Sequence, residues 1–237
     1  MTDYEAQVEA AYTAILRAGD TAIDVGAHTG RHTIPMARAV GETGSVLAFE
    51  PLRRAREHLV QSIAELRNTR ENIAPVRVFP YALARSAGTS SFVVVNELPE
   101  YSGLRERVYD SAVTTRTIDV RVETLDHMAA DLANLAVIKI DTEGGEFDVI
   151  AGGVATLRRT GPVVLFEMGD NSLLHYEATS ADMHDLLSSL DYRVYDILGR
   201  ALDRTQFVES SAVQHVWDYV AVRAETPNLP WFLTNSG

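Results

Sequence analysis

The segment Thr21-Ala22-Ile23-Asp24-Val25-Gly26-Ala27-His28-Thr29-Gly30 constrains this chain more than any other. A short apolar run leads into an acid, then a glycine-bearing turn, then a stretch with helical spacing. Glycines at such a turn let the backbone adopt conformations closed to other residues and let a ligand approach closely. Further on, Ser45-Val46-Leu47-Ala48-Phe49-Glu50 reads as a second strand ending in a carboxylate. A carboxylate so placed can accept hydrogen bonds from both hydroxyls of a ribose, as in dinucleotide folds. The two segments together predict a site for an adenosine-containing cofactor.

The turn itself discriminates between cofactors. A dinucleotide fingerprint is G-x-G-x-x-G, with helix N–H groups facing a pyrophosphate. Here His28 stands where a tight phosphate turn wants glycine, and Asp24 precedes Gly26. An acid there suits a cation better than a pyrophosphate. S-adenosylmethionine carries an ammonium and a sulfonium and no phosphate, so the turn favours it. The plainer alternative is a strand-to-helix turn in which Asp24 caps the helix.

Strand-like and helix-like stretches alternate along the chain. Residues 4–17 have helical apolar spacing and stop at Gly19. Strand 21–25, a helix over 30–40, strand 45–49, a helix over 52–67 and strand 76–79 follow. The rhythm then breaks at Ser91–Val95 and Ile118–Val122, two strand-like runs with no helix between them. They bracket a long polar loop over 96–117, and long ordered loops often carry function. The alternation resumes with helix 124–132, strand 136–140, helix 146–157, strand 163–166, helix 181–190 and strands 192–197 and 216–222. Repeated βα units predict a doubly wound, mostly parallel α/β sheet of about seven strands. Ligands bind beyond the carboxyl ends of such strands. Asp24, Glu50, Asp141 and Glu167 all fall there.

The expected organisation is one domain over 1–237, with an N-terminal helix (1–18), an inserted strand pair and loop (90–122) and a tail (226–237) packing as an extended arm. No apolar run reaches the ~18 residues needed to span a bilayer. The acidic N-terminus lacks a secretion signal, so the cytoplasm is the expected location and no membrane is a partner. There are no cysteines, which excludes disulfides and thiol chemistry, and the net charge of −12 argues against nucleic acid. Arg53, Arg54 and Arg56, and Arg67 with Arg70, read as solvated helix surface.

From Ile138 the chain runs Ile-Lys-Ile-Asp-Thr-Glu-Gly-Gly-Glu-Phe-Asp-Val-Ile-Ala-Gly-Gly to Gly153. This resembles the FkbM family of S-adenosylmethionine-dependent methyltransferases, which shows a K-I-D-x-E-G-x-E block after its fourth strand. The resemblance takes in Asp24–Gly30, Ala48–Pro51, Tyr81–Leu83, Thr124–Asp126 and Val164–Glu167. One departure is His28, where Asn is commoner in the family. The resemblance implies a class I methyltransferase (Rossmann-like) fold and methylation of hydroxyls on sugars, polyketides and related metabolites.

For the cofactor, the expected contacts are Asp24, Gly26, Ala27, His28 and Gly30 around the methionine part. Glu50 should hold the ribose, Pro51 and Leu52 the adenine face, and Tyr81 and Ala82 the adenine edge. Methyl transfer from a sulfonium is an in-line displacement, and an alcohol needs a base or a metal to become a nucleophile. Asp141 can orient the acceptor, act as base or ligate a divalent cation, with Glu143 and Glu167 as companions. Such carboxylates form a hard-oxygen site of the magnesium or calcium kind, with Asp141 and Glu167 as the ligands if a metal is bound, a point the sequence leaves open. The plainer alternative has Glu143 or Glu146 capping the next helix or pairing with Lys139. His175 is the best histidine candidate for a general base. His32 reads as a packing or cofactor contact, and His58, His127, His184 and His215 offer no reason for choice.

The leading reading is therefore an S-adenosylmethionine-dependent O-methyltransferase for a small hydroxyl acceptor, with N-methylation also open. An NAD-dependent oxidoreductase or epimerase is disfavoured by the glycine pattern and by the absence of a Tyr-x-x-x-Lys pair. Lys139 is the chain's only lysine, which makes that absence firm. A non-catalytic scaffold would leave the acidic cluster unexplained. The apolar N-terminal helix could also pack against a second subunit in a homodimer.

Overall fold

The computed structural model describes residues 4–69, 71–109, 112–173, 175–214, 216–224 and 226. In chain order, helix α1 (Tyr4–Ile15) precedes strand β1 (Thr21–Val25), helix α2 (Thr33–Val40), strand β2 (Ser45–Phe49), helix α3 (Arg53–Asn68) and strand β3 (Val76–Phe79). Strands β4 (Tyr81–Leu83), β5 (Gly88–Val95) and β6 (Thr115–Glu123) follow, with a short 3-10 turn at Pro99–Tyr101. The alternation resumes with α4 (Leu125–Met128), β7 (Leu135–Ile140), α5 (Glu146–Ala151), α6 (Val154–Thr160) and β8 (Val163–Glu167). Then come α7 (Ser180–Ser189), β9 (Tyr192–Asp196), β10 (Ala201–Leu202), α8 (Arg204–Val213) and β11 (Asp218–Arg223).

Eight strands pair in the order β10-β9-β11-β8-β7-β1-β2-β3. Neighbours from β8 to β3 are parallel, and β11 lies antiparallel between β8 and β9. The chain leaves β1 towards β2 on one side and returns through β7 on the other. The winding therefore reverses between β1 and β7, which is where open α/β sheets leave a crevice for ligands. β1 is buried along its whole length, Asp24 included, as a parallel strand covered on both faces is.

Side chains alternate across each strand, so the sheet buries two different clusters. Ile23, Val25, Leu47, Phe49, Ile138 and Ile140 pack towards α4–α8. Ala22, Val46, Ala48 and Val137 pack towards α1, α2 and α3. Asp24 and Lys139, partners in the β1–β7 register, share the parity of this second face. They are the polar ends of two apolar rows, brought side by side.

Several expectations change. The strand pair becomes a second sheet in the order β4-β6-β5, because Tyr81–Leu83 pairs parallel to β6. Phe92, Val94, Val120 and Val122 of that sheet pack with Leu52, Ala55 and Ala82, which sets it beside the end of β2. The single helix over 146–157 is two, broken at Gly152-Gly153. A Cβ at Gly152 would lie 2.3 Å from the Ala84 carbonyl oxygen, and one at Gly153 would lie 2.4 Å from the Leu125 side chain. The helix over 124–132 ends at Met128, capped by Thr124, which accepts from the His127 amide. An eighth strand, β10, and helix α8 went unread. Asp203 and Gln206 cap α8 reciprocally, but its weakly amphipathic sequence has no clear apolar stripe. Arg70, His215 and the tail beyond Thr226 lie outside the described residues. Among the described residues, no helix is long and apolar enough to cross a membrane.

Candidate functional site

Gly26 leaves β1 with φ +83°, and a Cβ there would lie 1.7 Å from the Asp141 carbonyl oxygen. Only glycine lets the ends of β1 and β7 meet so closely. The amides of Gly26 and Ala27 both donate to the Phe49 carbonyl at 3.0 Å. His28 then takes φ +43°, a left-handed conformation in which Asn, Asp and His are enriched among residues with a Cβ. Its amide donates to Glu50 Oε2 at 2.9 Å, and the Leu52 amide donates to Glu50 Oε1 at 2.6 Å. One buried carboxylate thus ties the turn after β1 to the turn after β2. Burial pushes the Glu50 carboxyl up to about 7, against the pull of both amides.

The end of β7 is built differently. Lys139 Nζ donates to Asp141 Oδ2 at 2.7 Å, and the lysine side chain is 6% exposed. Burial opposes its charge, but Asp141 and Asp24 outweigh it and hold the ammonium's pKa above its ordinary value. Burial would raise the Asp141 carboxyl too, yet Lys139 beside it brings it below its ordinary value. Asp24 Oδ2 accepts from the Thr33 hydroxyl at 2.5 Å, while its Oδ1 is buried with no hydrogen-bond partner among the described residues.

Glu143 sits in a left-handed turn at φ +60° and pairs with Arg107, both side chains being almost fully buried. The Arg107 guanidinium also lies 5.0 Å from the centre of the Tyr101 ring. Gly103 completes this closure, since a Cβ there would be 3.2 Å from the Thr142 carbonyl oxygen. The loop of the inserted sheet is thereby fastened to the turn after β7. Glu146 accepts from the Thr142 amide (2.7 Å) and hydroxyl (2.9 Å) and from the Gly144 amide (3.3 Å). It serves the architecture of that turn rather than capping α5, whose N-cap Gly145 has no side-chain cap. Lys139 pairs with Asp141, so neither form of the plainer alternative describes Glu146.

Glu167 ends β8, where burial and the nearby Asp141, Asp218 and Glu146 carboxyls drive its pKa well above the ordinary value. Asp141, Glu143 and Glu167 each bring an oxygen within 4.8 Å of the other two. That spacing would suit a divalent cation, but Asp141 already carries Lys139 and Glu143 already carries Arg107. As they stand, these residues do not fit a metal.

A cavity of about 340 Å³ joins the two regions, a volume proper to a small-molecule site. Asp24, Gly26, Ala27, His28, Glu50, Pro51 and Leu52 line it, as do Tyr81 and Ala82. Asp141, Glu143 and Glu167 line it from the β7 and β8 side. Gly30 does not: at φ +97° it makes room for Leu59, whose side chain a Cβ would meet at 2.5 Å. His175 does not either, because it lines a neighbouring depression with Phe147 and Tyr176. Tyr176 packs over Gly144 and Gly145, so the turn after β7 separates the two spaces. The reading from sequence missed Lys139 as a site residue, although one lysine in an apolar strand was a signal. It also missed Arg107 and Glu5, which reach the site from distant parts of the chain and leave no local mark.

The methyltransferase FkbM domain matches residues 24–194 of this chain. Among curated proteins, none matches it. Among solved structures, methyltransferase FkbM from Methylobacillus flagellatus KT superposes with a TM-score of 0.51 at 16% identity, over 93% of this chain and 55% of that one. This chain thus spans about half the length of that protein. SMU.1697c from Streptococcus mutans, solved in complex with SAH, superposes with a TM-score of 0.50 at 9% identity, over 94% of this chain and 98% of that one. Identities this low speak for the fold alone, which is the class I methyltransferase fold.

Proposed function

The chain belongs to the FkbM methyltransferase family, and we propose that it transfers a methyl group from S-adenosylmethionine to a hydroxyl oxygen of a small acceptor such as a sugar or polyketide. The observation that carries this reading is Glu50. It is a buried carboxylate at the end of β2, fixed by amides of two turns and open to a cavity at the sheet's switch point. A vicinal diol is the natural partner for a carboxylate so held.

The residues fit the cofactor. Gly26 lines the cavity where β1 and β7 meet, and Asp24 Oδ1 is a buried acceptor without a hydrogen-bond partner among the described residues. Glu50 would hold the ribose, and Pro51, Leu52, Tyr81 and Ala82 would enclose the adenine. When bound, S-adenosylmethionine would supply a methyl group whose bond to the sulfonium breaks as the acceptor oxygen bonds to it, the sulfur leaving as a neutral thioether. Asp141, kept ionised by Lys139, would orient the acceptor hydroxyl and take its proton. A carboxylate stabilised by an ammonium is a weak base, so holding the acceptor in place would supply most of the rate. The Pro99–Leu104 stretch of the inserted loop, fastened by Arg107 and Glu143, would form the wall that the acceptor meets.

The test is calorimetric titration of the protein with S-adenosylhomocysteine and, separately, with NAD. Micromolar binding of the first and none of the second is expected. Binding of NAD, or of neither, would overturn the reading.

A further inference from the structure

Helix α1 lies before residue 24, where the family match begins, yet it reaches the cavity. Val8, Ala11, Tyr12 and Ile15 bury one face of it. Glu5, Glu9 and Tyr12 follow one another at helical spacing along the line that meets the turn after β1. Glu9 pairs with Arg31 there. Glu5 Oε2 lies 2.6 Å from His32 Nε2, and His32 Nδ1 lies 3.2 Å from the Tyr12 hydroxyl. A carboxylate can only accept, so Nε2 carries a proton, and in the neutral ring Nδ1 accepts from Tyr12. The His32 side chain is 5% exposed, whereas Glu5 keeps 60% exposure while lining the cavity. The imidazole thus anchors an acid that remains open to a ligand.

The other carboxylates with a firm partner are placed for other tasks. Asp141 holds Lys139, Glu143 holds Arg107, and Glu50 is held by amides. Helix α1 packs against β7 on the face that carries Asp24 and Lys139, which sets Glu5 towards the β7 side of the cavity. Hydrogen bonding to His32 holds its carboxyl below the ordinary value, so it stands ionised. The cofactor proposed above ends in an amino acid whose ammonium has three N–H donors. Asp24 Oδ1, buried without a partner among the described residues, offers one acceptor, and a second is wanted nearby.

The geometry points to Glu5 as a further cofactor-binding residue, its carboxylate taking the ammonium of the amino-acid end, with His32 and Tyr12 as positioning residues. The assignment rests on S-adenosylmethionine being the cofactor. It makes α1 part of the binding site, and charge-assisted bonds of this kind are the strong ones.

The experiment is calorimetric titration of the wild type, Glu5→Gln and Glu9→Gln with S-adenosylhomocysteine and with 5′-methylthioadenosine, which lacks the amino-acid part. Glu5→Gln should bind S-adenosylhomocysteine about tenfold more weakly, with the affinity for 5′-methylthioadenosine unchanged. Glu9→Gln, which breaks the other tie between α1 and the turn, should leave both affinities as they are. Equal losses for both ligands in Glu5→Gln, or the same loss in Glu9→Gln, would make α1 a structural clamp and overturn the assignment. So would wild-type affinity for both ligands in Glu5→Gln. Absence of any S-adenosylhomocysteine binding by the wild type would instead overturn the cofactor reading, and this assignment with it.

Discussion

The two ends of the cavity hold their carboxylates in opposite ways. At the end of β2, Glu50 is fixed by the amides of His28 and Leu52. At the end of β7, Asp141 and Glu143 are each fixed by a basic side chain, Lys139 and Arg107. Amides position a carboxylate without cancelling its charge, and they leave lone pairs for the hydroxyls of a ligand. A lysine or arginine compensates the charge and spends much of the hydrogen-bonding capacity. The first arrangement makes a binding group that stays unsatisfied until a ligand arrives. The second makes a stable charged wall against which an acceptor can be oriented.

The contrast can be broken most sharply at Lys139. Lys139→Met leaves Asp141, Asp24 and Glu167 facing one another without the ammonium, and it should cost about 3 kcal/mol of stability. Urea denaturation measures this directly. A loss under ~1 kcal/mol, the scale of an exposed pair, would mean that the lysine does not hold that end together.

Glu50 should behave in the reverse manner. Its replacement removes a group that burial disfavours but also the acceptor of the His28 and Leu52 amides. Glu50→Ala should therefore stay folded, with a smaller loss of stability than Lys139→Met, yet bind S-adenosylhomocysteine about 100-fold more weakly, or ~2.7 kcal/mol. Unchanged affinity in calorimetry would remove Glu50 from the ribose site. Severe unfolding would show that it is structural in the way Lys139 is.

A smaller effect sharpens the same distinction through pH. Burial raises the folded-state pKa of Glu50 to about 7 from an ordinary 4.5. The stability linked to that proton is therefore fully present below pH 4.5 and is lost as pH rises through about 7. The ligand-free wild type should lose melting temperature over that range, and Glu50→Gln should lose less. Parallel curves for the two proteins would place the pH dependence elsewhere, Asp218 being the next group raised to about 7.

The same division marks what the sequence made legible. The β1 turn, Glu50 and the strand ends could be read because each is a local pattern: an apolar run, a glycine where φ turns positive, an acid at a strand end. All of the cavity residues expected from those patterns line it except Gly30 and His175. Gly30 carried the same signal as Gly26, but it makes room for Leu59, whereas Gly26 makes room for the Asp141 carbonyl at the cavity wall. His175 follows a strand end by a loop, and no local feature says on which side of the Gly144-Gly145 turn such a loop will lie. The cationic wall was less legible. Arg107 meets Glu143 only because the inserted sheet folds back over β7, and Glu5 meets His32 only because α1 packs on the same face as Asp24 and Lys139. The sheet's general architecture followed from alternation, whereas β10 and α8 escaped because neither shows a clear hydrophobic period.

The most direct measurement is a crystal structure of the protein with S-adenosylhomocysteine bound. The expected result has both ribose hydroxyls on the Glu50 carboxylate and the sulfur facing Asp141. Ligand bound elsewhere, or a ribose that leaves Glu50 with only its two amides, would contradict it.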